Sequence, residues 1–196
     1  MNRTISLIIA LTLLFSVFSF PASAAKEEHV FRNGIKWGAS EKEILAAEAE
    51  LTGTASFFDE SETLKDIEFF IPSFSVFTDV GLDYILSDDQ LVAVMYRIMQ
   101  YSYEQESVSE DEIRYLIAAM TSKYGEGRQA YLMDIFRALQ PLTGISKNDL
   151  AGFTPYRCWK LPDGTNAILF KISEIALTLM YLSPDFIDLD FVSGDL

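Results

Sequence analysis

The chain has 196 residues, with 29 acidic and 15 basic side chains and a net charge of −14 at neutral pH. A surface this acidic repels nucleic acid and anionic membranes, so the composition argues against both as partners and favours a basic partner protein or plain solubility. The length suits a single domain with a sizeable hydrophobic core.

Residues 1–24 have the composition of a signal peptide. Arg3 precedes an apolar run from Ile5 to Phe20, and Ala22-Ser23-Ala24 supplies the small residues that a signal peptidase needs. A retained membrane anchor is the alternative, although a spanning helix needs about 20 apolar residues. We expect cleavage near Ala24 and a secreted, periplasmic or otherwise extracytoplasmic protein with no membrane span in the mature chain.

Two helix starts carry the same capping signal. Ser40 stands three residues before Glu43, and Ser109 stands three residues before Glu112. At this spacing the Ser hydroxyl accepts from the Glu backbone N–H while the Glu carboxylate reaches back to the Ser backbone N–H. Both positions are therefore predicted to begin helices.

Apolar spacing then predicts three helices, at 41–51, 110–123 and 131–140. Gly125 suits the end of the second helix, and Pro141 is expected to lie just after the third.

The strongest strand signal is the run from Leu91 to Tyr101, which is apolar on both faces. Such a strand is covered on both sides, so we predict that it is central in the sheet. Residues 54–65 and 142–156 are predicted to be irregular. The other predicted strands cover 67–71, 82–86, 157–161, 166–172 and 175–181, with Phe74, Val76 and Phe77 continuing the first of these.

These elements predict an α+β fold, in which an antiparallel β-sheet is built from two helix-plus-meander halves with the helices packed on one face. The predicted segments are a flexible lead-in (25–30), a single domain (31–184) with halves of about 31–105 and 106–184, a helical insertion in the second half (126–156) and an acidic tail (185–196).

Short motifs at these helix ends and turns resemble those of a known class. The motif residues are Trp37, Gly38, Ser40, Glu43, Tyr124, Gly125, Trp159, Asp163, Gly164 and Thr165. They resemble small exported bacterial proteins of the β-lactamase-inhibitor-protein-like class, whose fold is shared by SmpA/OmlA-type outer-membrane assembly lipoproteins. The resemblance covers roughly residues 31–182. It implies this fold and a habit of binding other proteins, and it carries over no active site. The chain departs from the class in lacking a lipid-attachment cysteine and in the extra segment 131–156.

Catalytic and metal-binding residue types are scarce. His29 is the one histidine and stands in the predicted lead-in, so a Ser–His or Cys–His pair is not expected. Cys158 is the one cysteine, which excludes an internal disulfide, and we expect a small buried side chain there. Asp88-Asp89 suits a hairpin turn. We predict no metal site and no cofactor.

The sequence therefore favours a non-enzymatic exported protein-binding module, of the inhibitor or envelope-assembly type. The alternative is a carboxylate-dependent hydrolase of the envelope or medium, because 29 acidic residues leave room for a catalytic pair. Two or more carboxylates converging in a deep pocket would favour the hydrolase, whereas an open, shallow apolar face would favour binding.

Three methionines form the predicted binding face. If the long helices cover one side of the sheet, Met95 and Met99 of the central strand and Met180 of the last strand lie on the other side. Methionine is flexible and polarisable, so such a face could adapt to a partner protein. The alternative is that the helix 131–140 or the tail covers these residues and makes them core.

Overall fold

The computed structural model describes residues 28–51, 53–57, 63–99, 108–173, 176–187 and 189. The predicted signal peptide, its cleavage site and most of the predicted acidic tail lie outside these residues. Within the described part of the chain, no helix combines the length and the apolar character that crossing a membrane requires.

The described residues form a mixed α+β fold, as predicted. Short 3-10 helices lie at Arg32–Gly34 and Lys147–Gly152. The α-helices are α1 (Glu41–Ala47), α2 (Glu110–Tyr124) and α3 (Leu132–Thr143). The strands are β1 (Gly53–Phe57), β2 (Leu64–Phe74), β3 (Phe77–Ser87), β4 (Gln90–Met99), β5 (Arg128–Gln129), β6 (Phe153–Lys160), β7 (Asn166–Ile172) and β8 (Ala176–Leu182).

All of these strands belong to one antiparallel sheet in the order β1-β2-β3-β4-β8-β7-β6-β5. The first four strands follow one another as a meander, and β6 to β8 form a second meander. The two meet where β4 pairs with β8, so β4 occupies the middle of the sheet. This position agrees with its apolar character on both faces.

Both predicted capping boxes are present. The Ser40 hydroxyl accepts from the Glu43 N–H and the Glu43 carboxylate accepts from the Ser40 N–H, and Ser109 and Glu112 repeat this arrangement. The helices begin at Glu41 and Glu110 because these local bonds satisfy backbone donors that the first turn leaves free.

The first helix ends earlier than predicted. It stops at Ala47 because the next residue, Glu48, turns its carboxylate into the core. There the carboxylate accepts hydrogen bonds from the Arg32 guanidinium, the Asn33 amide and the Tyr84 hydroxyl. A buried carboxylate needs such partners, and here they attach the residues before α1 to the sheet.

Other boundaries also differ from the predictions, and β6 begins at Phe153, inside the segment 142–156 that was predicted to be irregular. The predicted loop 54–65 contains strand β1 and the start of β2, which pair through their backbones in spite of a poorly alternating sequence. Strand β2 continues past Pro72 to Phe74, as predicted, but the chain then turns at Ser75 and Val76, and Phe77 begins β3. Helix α3 continues through Pro141 to Thr143, because burial of Leu142 holds its last turn in place.

The core has two parts, one on each face of the sheet. Along β4, Val94 belongs to the first part and Ala93 to the second, because successive strand residues point to opposite faces. Helices α1 and α2 pack in the first part through residues such as Ile44 and Leu116. Helix α3 packs in the second part through Ile135, Ala138, Leu139 and Leu142.

The prediction that the helices share one face is therefore wrong for α3. Its apolar stripe packs over β6 to β8 on the second face. The start of the predicted acidic tail is also packed there, since Leu189 is buried and both Phe186 and Ile187 contact the same apolar cluster.

Candidate functional site

The predicted methionine face is not open. Met180 is 0% exposed and lies among the apolar residues that α3 covers. Met95 is half-buried against the same cluster, and the side chain of Met99 lies outside the described residues. Met180 is therefore a core residue, as in the alternative interpretation, because the apolar stripe of α3 needs a surface to pack against.

The predicted motif residues meet around the turn between β6 and β7. The Trp37 indole Nε1 donates to Thr165 Oγ1 at 2.7 Å, and Thr165 Oγ1 donates to Asp163 Oδ2 at 2.9 Å. The turn itself requires Gly164, whose φ of 96° is in the left-handed region. These bonds join the start of the domain to a hairpin more than 100 residues away.

Other motif residues attach, end or fill elements of the fold. The Gly38 N–H donates to the Leu91 carbonyl, which attaches the residues before α1 to β4. Gly125 ends α2, and Trp159 is buried in the first part of the core.

His29 is part of the fold and not of a flexible lead-in, which corrects the prediction for residues 28–30. Its backbone N–H donates to Asp163 Oδ2 at 2.8 Å, and its ring stacks on Tyr181 with centroids 5.2 Å apart. Burial, and then the charge of Lys123, lower the pKa of His29 in spite of the nearby Asp163 carboxylate. The shift favours the neutral imidazole, whose ring packs against Tyr181.

The largest of the described cavities lies beside this turn, with a volume of about 710 Å³. Its lining includes Trp37 and four carboxylates, those of Glu28, Asp88, Asp163 and Asp185. Asp163 is already bonded within the turn, and Asp88 occupies the β3–β4 turn as its sequence suggests.

Cys158 is a buried side chain, as predicted. Burial raises the pKa of its thiol to about 12, helped by the charge of Asp134. The thiolate that a nucleophile or metal ligand needs is therefore disfavoured at neutral pH.

A second group of polar residues, which the sequence reasoning missed, lies on the second face of β2, β3 and β4. It comprises Asp66, Glu68, Asp83 and Arg97, and we call it the carboxylate–arginine cluster. Asp66 and Glu68 alternate with the core residues Ile67 and Phe69, so they point away from the first part of the core.

Register brings the cluster together. Glu68 lies directly opposite Asp83 across β2 and β3, a like-charge pairing that is unfavourable by itself. Arg97 offsets it by donating from Nε and Nη2 to the two Asp83 oxygens, at 2.5 and 2.7 Å, and from Nη2 to Glu68. Arg97 lies directly opposite Gly81 of β3, and its guanidinium extends over this glycine to Glu68.

The described hydrogen bonds of Arg97 go to Asp83 and Glu68 and not to Asp66. Among the described residues the buried Oδ1 of Asp66 has no hydrogen-bond partner. Burial, and then the charge of Asp83, raise the pKa of Asp66 to about 7, against a smaller lowering by Arg97. Burial also raises the pKa of Asp83, although the guanidinium opposes the shift.

This part of the second face reaches solvent. The Phe70 side chain, two residues beyond Glu68 on the same face, is 54% exposed, and the Glu68 side chain is 34% exposed. We call Phe70 together with the carboxylate–arginine cluster the β2–β4 surface. A signal for it was present in the sequence, since Asp66 and Glu68 stand two residues apart in β2. Asp83 interrupts an apolar stretch of β3, and Arg97 interrupts one of β4.

Comparisons with known proteins give no identification: no protein-family model, curated protein or solved structure matches the chain. Within the described ranges, no group of three or more His, Cys, Asp or Glu side chains is arranged to hold a metal ion.

Proposed function

We propose that the protein is exported and acts as a non-enzymatic binding module for another protein, through the β2–β4 surface. The observation that carries this proposal is the exposure of Phe70 on a strand whose opposite face is core. Protein-binding surfaces typically combine large aromatic side chains with surrounding charged residues, and the aromatic residues supply much of the binding energy.

Charge complementarity indicates the kind of partner. The cluster holds three carboxylates against one guanidinium, and the whole chain has a net charge of −14. We expect a partner with a basic surface, since opposite potentials speed association and exclude acidic competitors.

The position of the carboxylates of the β2–β4 surface favours binding over hydrolysis at this surface. Arg97 bridges Glu68 and Asp83 on the sheet face. None of the three carboxylates lines a described cavity; the largest cavity is lined by four others, of which Asp163 is bonded within its turn. A hydrolase needs its acid and base to converge around a bound substrate, and an ion-pair network on a strand surface lacks the enclosing walls.

We also infer that the two halves, about 31–105 and 106–184, repeat one helix-then-meander plan, with α3 as an insertion in the second. Supporting this, a capped helix precedes each meander in the chain. The resemblance to the β-lactamase-inhibitor-protein-like class remains part of this proposal.

Site-specific photo-crosslinking tests the binding surface. A photoreactive amino acid is placed at Phe70, or at Tyr115 on α2 as a control of similar exposure (50%), in protein exported by its native host. We expect a defined adduct from position 70 and none from position 115. Excess Tyr115→Ser protein should suppress the adduct as parent protein does, whereas Phe70→Ser should not. Equal adducts from both positions, or none from position 70, would contradict the proposal.

A further inference from the structure

We propose that the outer edge of β1 binds an extended, basic segment of the partner protein, which adds a further strand to the sheet. This inference rests on the proposed function, because the segment is expected to belong to the protein that binds the β2–β4 surface.

The first argument is the position of β1 at one end of the sheet. The strand order places β1 outermost, and within the described ranges it pairs only with β2. Every residue from Gly53 to Phe57 takes part in that pairing, so the backbone is held extended. A strand paired on one side presents alternate N–H and C=O groups on the other side, which form a template for one more strand.

The second argument is the contrast between the two edges of the sheet. At the opposite edge, β5 has only two residues, and the carbonyls of Gly127 and Gln129 already accept hydrogen bonds from the Arg157 and Arg128 guanidinium groups. Proteins commonly protect an edge with a short strand, charged side chains or proline. The sequence of β1 is Gly-Thr-Ala-Ser-Phe, which contains no charged residue and no proline. The β1 edge therefore lacks the sequence features that oppose strand addition.

The third argument is charge, which selects the kind of segment. Thr54 and Ser56 lie opposite Glu68 and Asp66 of β2. A strand added to β1 would lie about 10 Å from β2, a distance that a long lysine or arginine side chain can bridge together with the partly exposed Glu68 side chain. A second copy of the chain is disfavoured as the occupant, since each copy carries a net charge of −14.

The fourth argument is continuity with the β2–β4 surface. Gly53 pairs with Phe69, so the exposed Phe70 lies one residue beyond the part of β2 that β1 covers. A segment that pairs along β1 and continues past Gly53 approaches Phe70. Main-chain hydrogen bonds at the edge would then supply affinity, and contacts with Glu68 and Phe70 would supply specificity.

The test is a titration of the ¹⁵N-labelled protein with the peptide acetyl-Lys-Val-Lys-Val-Lys-Val-amide, followed by amide NMR and hydrogen–deuterium exchange. We expect chemical-shift changes centred on β1 and β2, and slower exchange at the alternate amides of β1 whose N–H groups point away from β2. Acetyl-Glu-Val-Glu-Val-Glu-Val-amide has the opposite charge and should bind about tenfold more weakly.

A third peptide separates strand pairing from charge attraction. It has the sequence of the lysine peptide with a methyl group on every backbone nitrogen, so it keeps the charge and loses the N–H donors of a ladder. We expect its affinity for the protein to be about tenfold lower, since several hydrogen bonds are lost. Equal affinities of the lysine peptide and its methylated form would show that charge alone attracts them and would overturn the inference.

Proline substitutions test the edge in the protein itself. Successive N–H groups of a strand point to opposite sides, so one of Thr54→Pro and Ala55→Pro removes a donor of the outer edge and the other removes a donor to β2. The variant that keeps the melting temperature of the parent should bind the lysine peptide about tenfold more weakly. If neither variant keeps it, the methylated peptide decides.

Two charge-matched variants test the preference for a basic segment. Glu68→Gln should weaken binding of the lysine peptide by about threefold, whereas Asp111→Asn, which removes an equal charge from a 91% exposed side chain on α2, should leave it unchanged. Equal effects of the two variants would overturn the assignment of the basic side chains to this edge.

Shift changes spread evenly over the acidic surface, or a stable proline variant that binds as the parent does, would also overturn the inference. So would a dimer in sedimentation measurements without peptide whose β1 amides already exchange slowly, since a second copy would then occupy the edge. The proposed function is judged separately by crosslinking at Phe70. An adduct there without peptide pairing at β1 would leave the binding module in place and refute only the added strand.

Discussion

Replacing Asp66 by Asn removes a carboxyl whose ionisation the fold opposes, while it keeps the shape of the side chain. Asp66 is half-buried beside Asp83 and Glu68, and its pKa is raised from 3.8 to about 7. A carboxyl whose pKa is higher in the folded than in the unfolded protein stabilises the fold, and this contribution is fully present at pH values below its pKa in the unfolded chain. That contribution is lost as the pH rises through the folded pKa.

The magnitude follows from the shift. A difference of about 3 pH units corresponds to about 4 kcal/mol between the fully protonated and the fully ionised limits. Because Asp66 is only half-buried, solvent screening reduces this to about 1–2 kcal/mol. Asn stays neutral at every pH and so escapes the loss.

Urea melts of the parent and of Asp66→Asn at pH 5 and pH 8 measure the effect. We expect the variant to gain about 1 kcal/mol over the parent between pH 5 and pH 8, because that interval contains the folded pKa of Asp66. Asp111→Asn should differ from the parent by less than about 0.5 kcal/mol at both values.

A stability difference for Asp66→Asn that is constant between pH 5 and pH 8 would refute the reasoning. So would a gain that is larger at pH 5, since it would mean that the native protein holds Asp66 ionised and paired.

Two further predictions concern packing. Met180→Lys should lower the free energy of unfolding by several kcal/mol in urea melts, because it buries an unpaired charge under α3, whereas the half-buried Met95→Lys should cost clearly less. Equal costs would contradict the assignment of Met180 to the core. Gly127→Ala should destabilise the protein by about 1–3 kcal/mol, since its Cβ would lie 2.5 Å from the Cys158 carbonyl oxygen; Gly152→Ala, with nothing within 4 Å, is the control and should leave the melting temperature nearly unchanged.

Elements set by local contacts were predictable from the sequence. Ser40 and Ser109 cap their helices through residues three positions away, so the pattern and the bond lie in the same short segment. The central place of β4 was predictable because a strand that is apolar on both faces has to be covered twice. The early end of α1 was not predictable, since Glu48 is drawn inward by Tyr84, which is 36 residues away.

The candidate site could not be predicted from sequence patterns, for a related reason. Arg97 meets Asp83 and Glu68 from 14 and 29 residues away, and only the register of β2, β3 and β4 brings them together. A shift of one residue in one strand would move its members of the cluster to the opposite face.

The sequence by itself determined the α+β class, the antiparallel hairpins and the starts of α1 and α2, because periodicity and capping act over a few residues. The tertiary structure alone decided which face each helix covers, since an apolar stripe specifies that it must be buried and not where. It packed α3 and Met180 into the second part of the core and left Phe70 exposed and Glu68 partly exposed beside the buried Asp83. The proposed binding surface is thus a consequence of long-range packing, in which the insertion covers part of one sheet face and Phe70 stays exposed on another part.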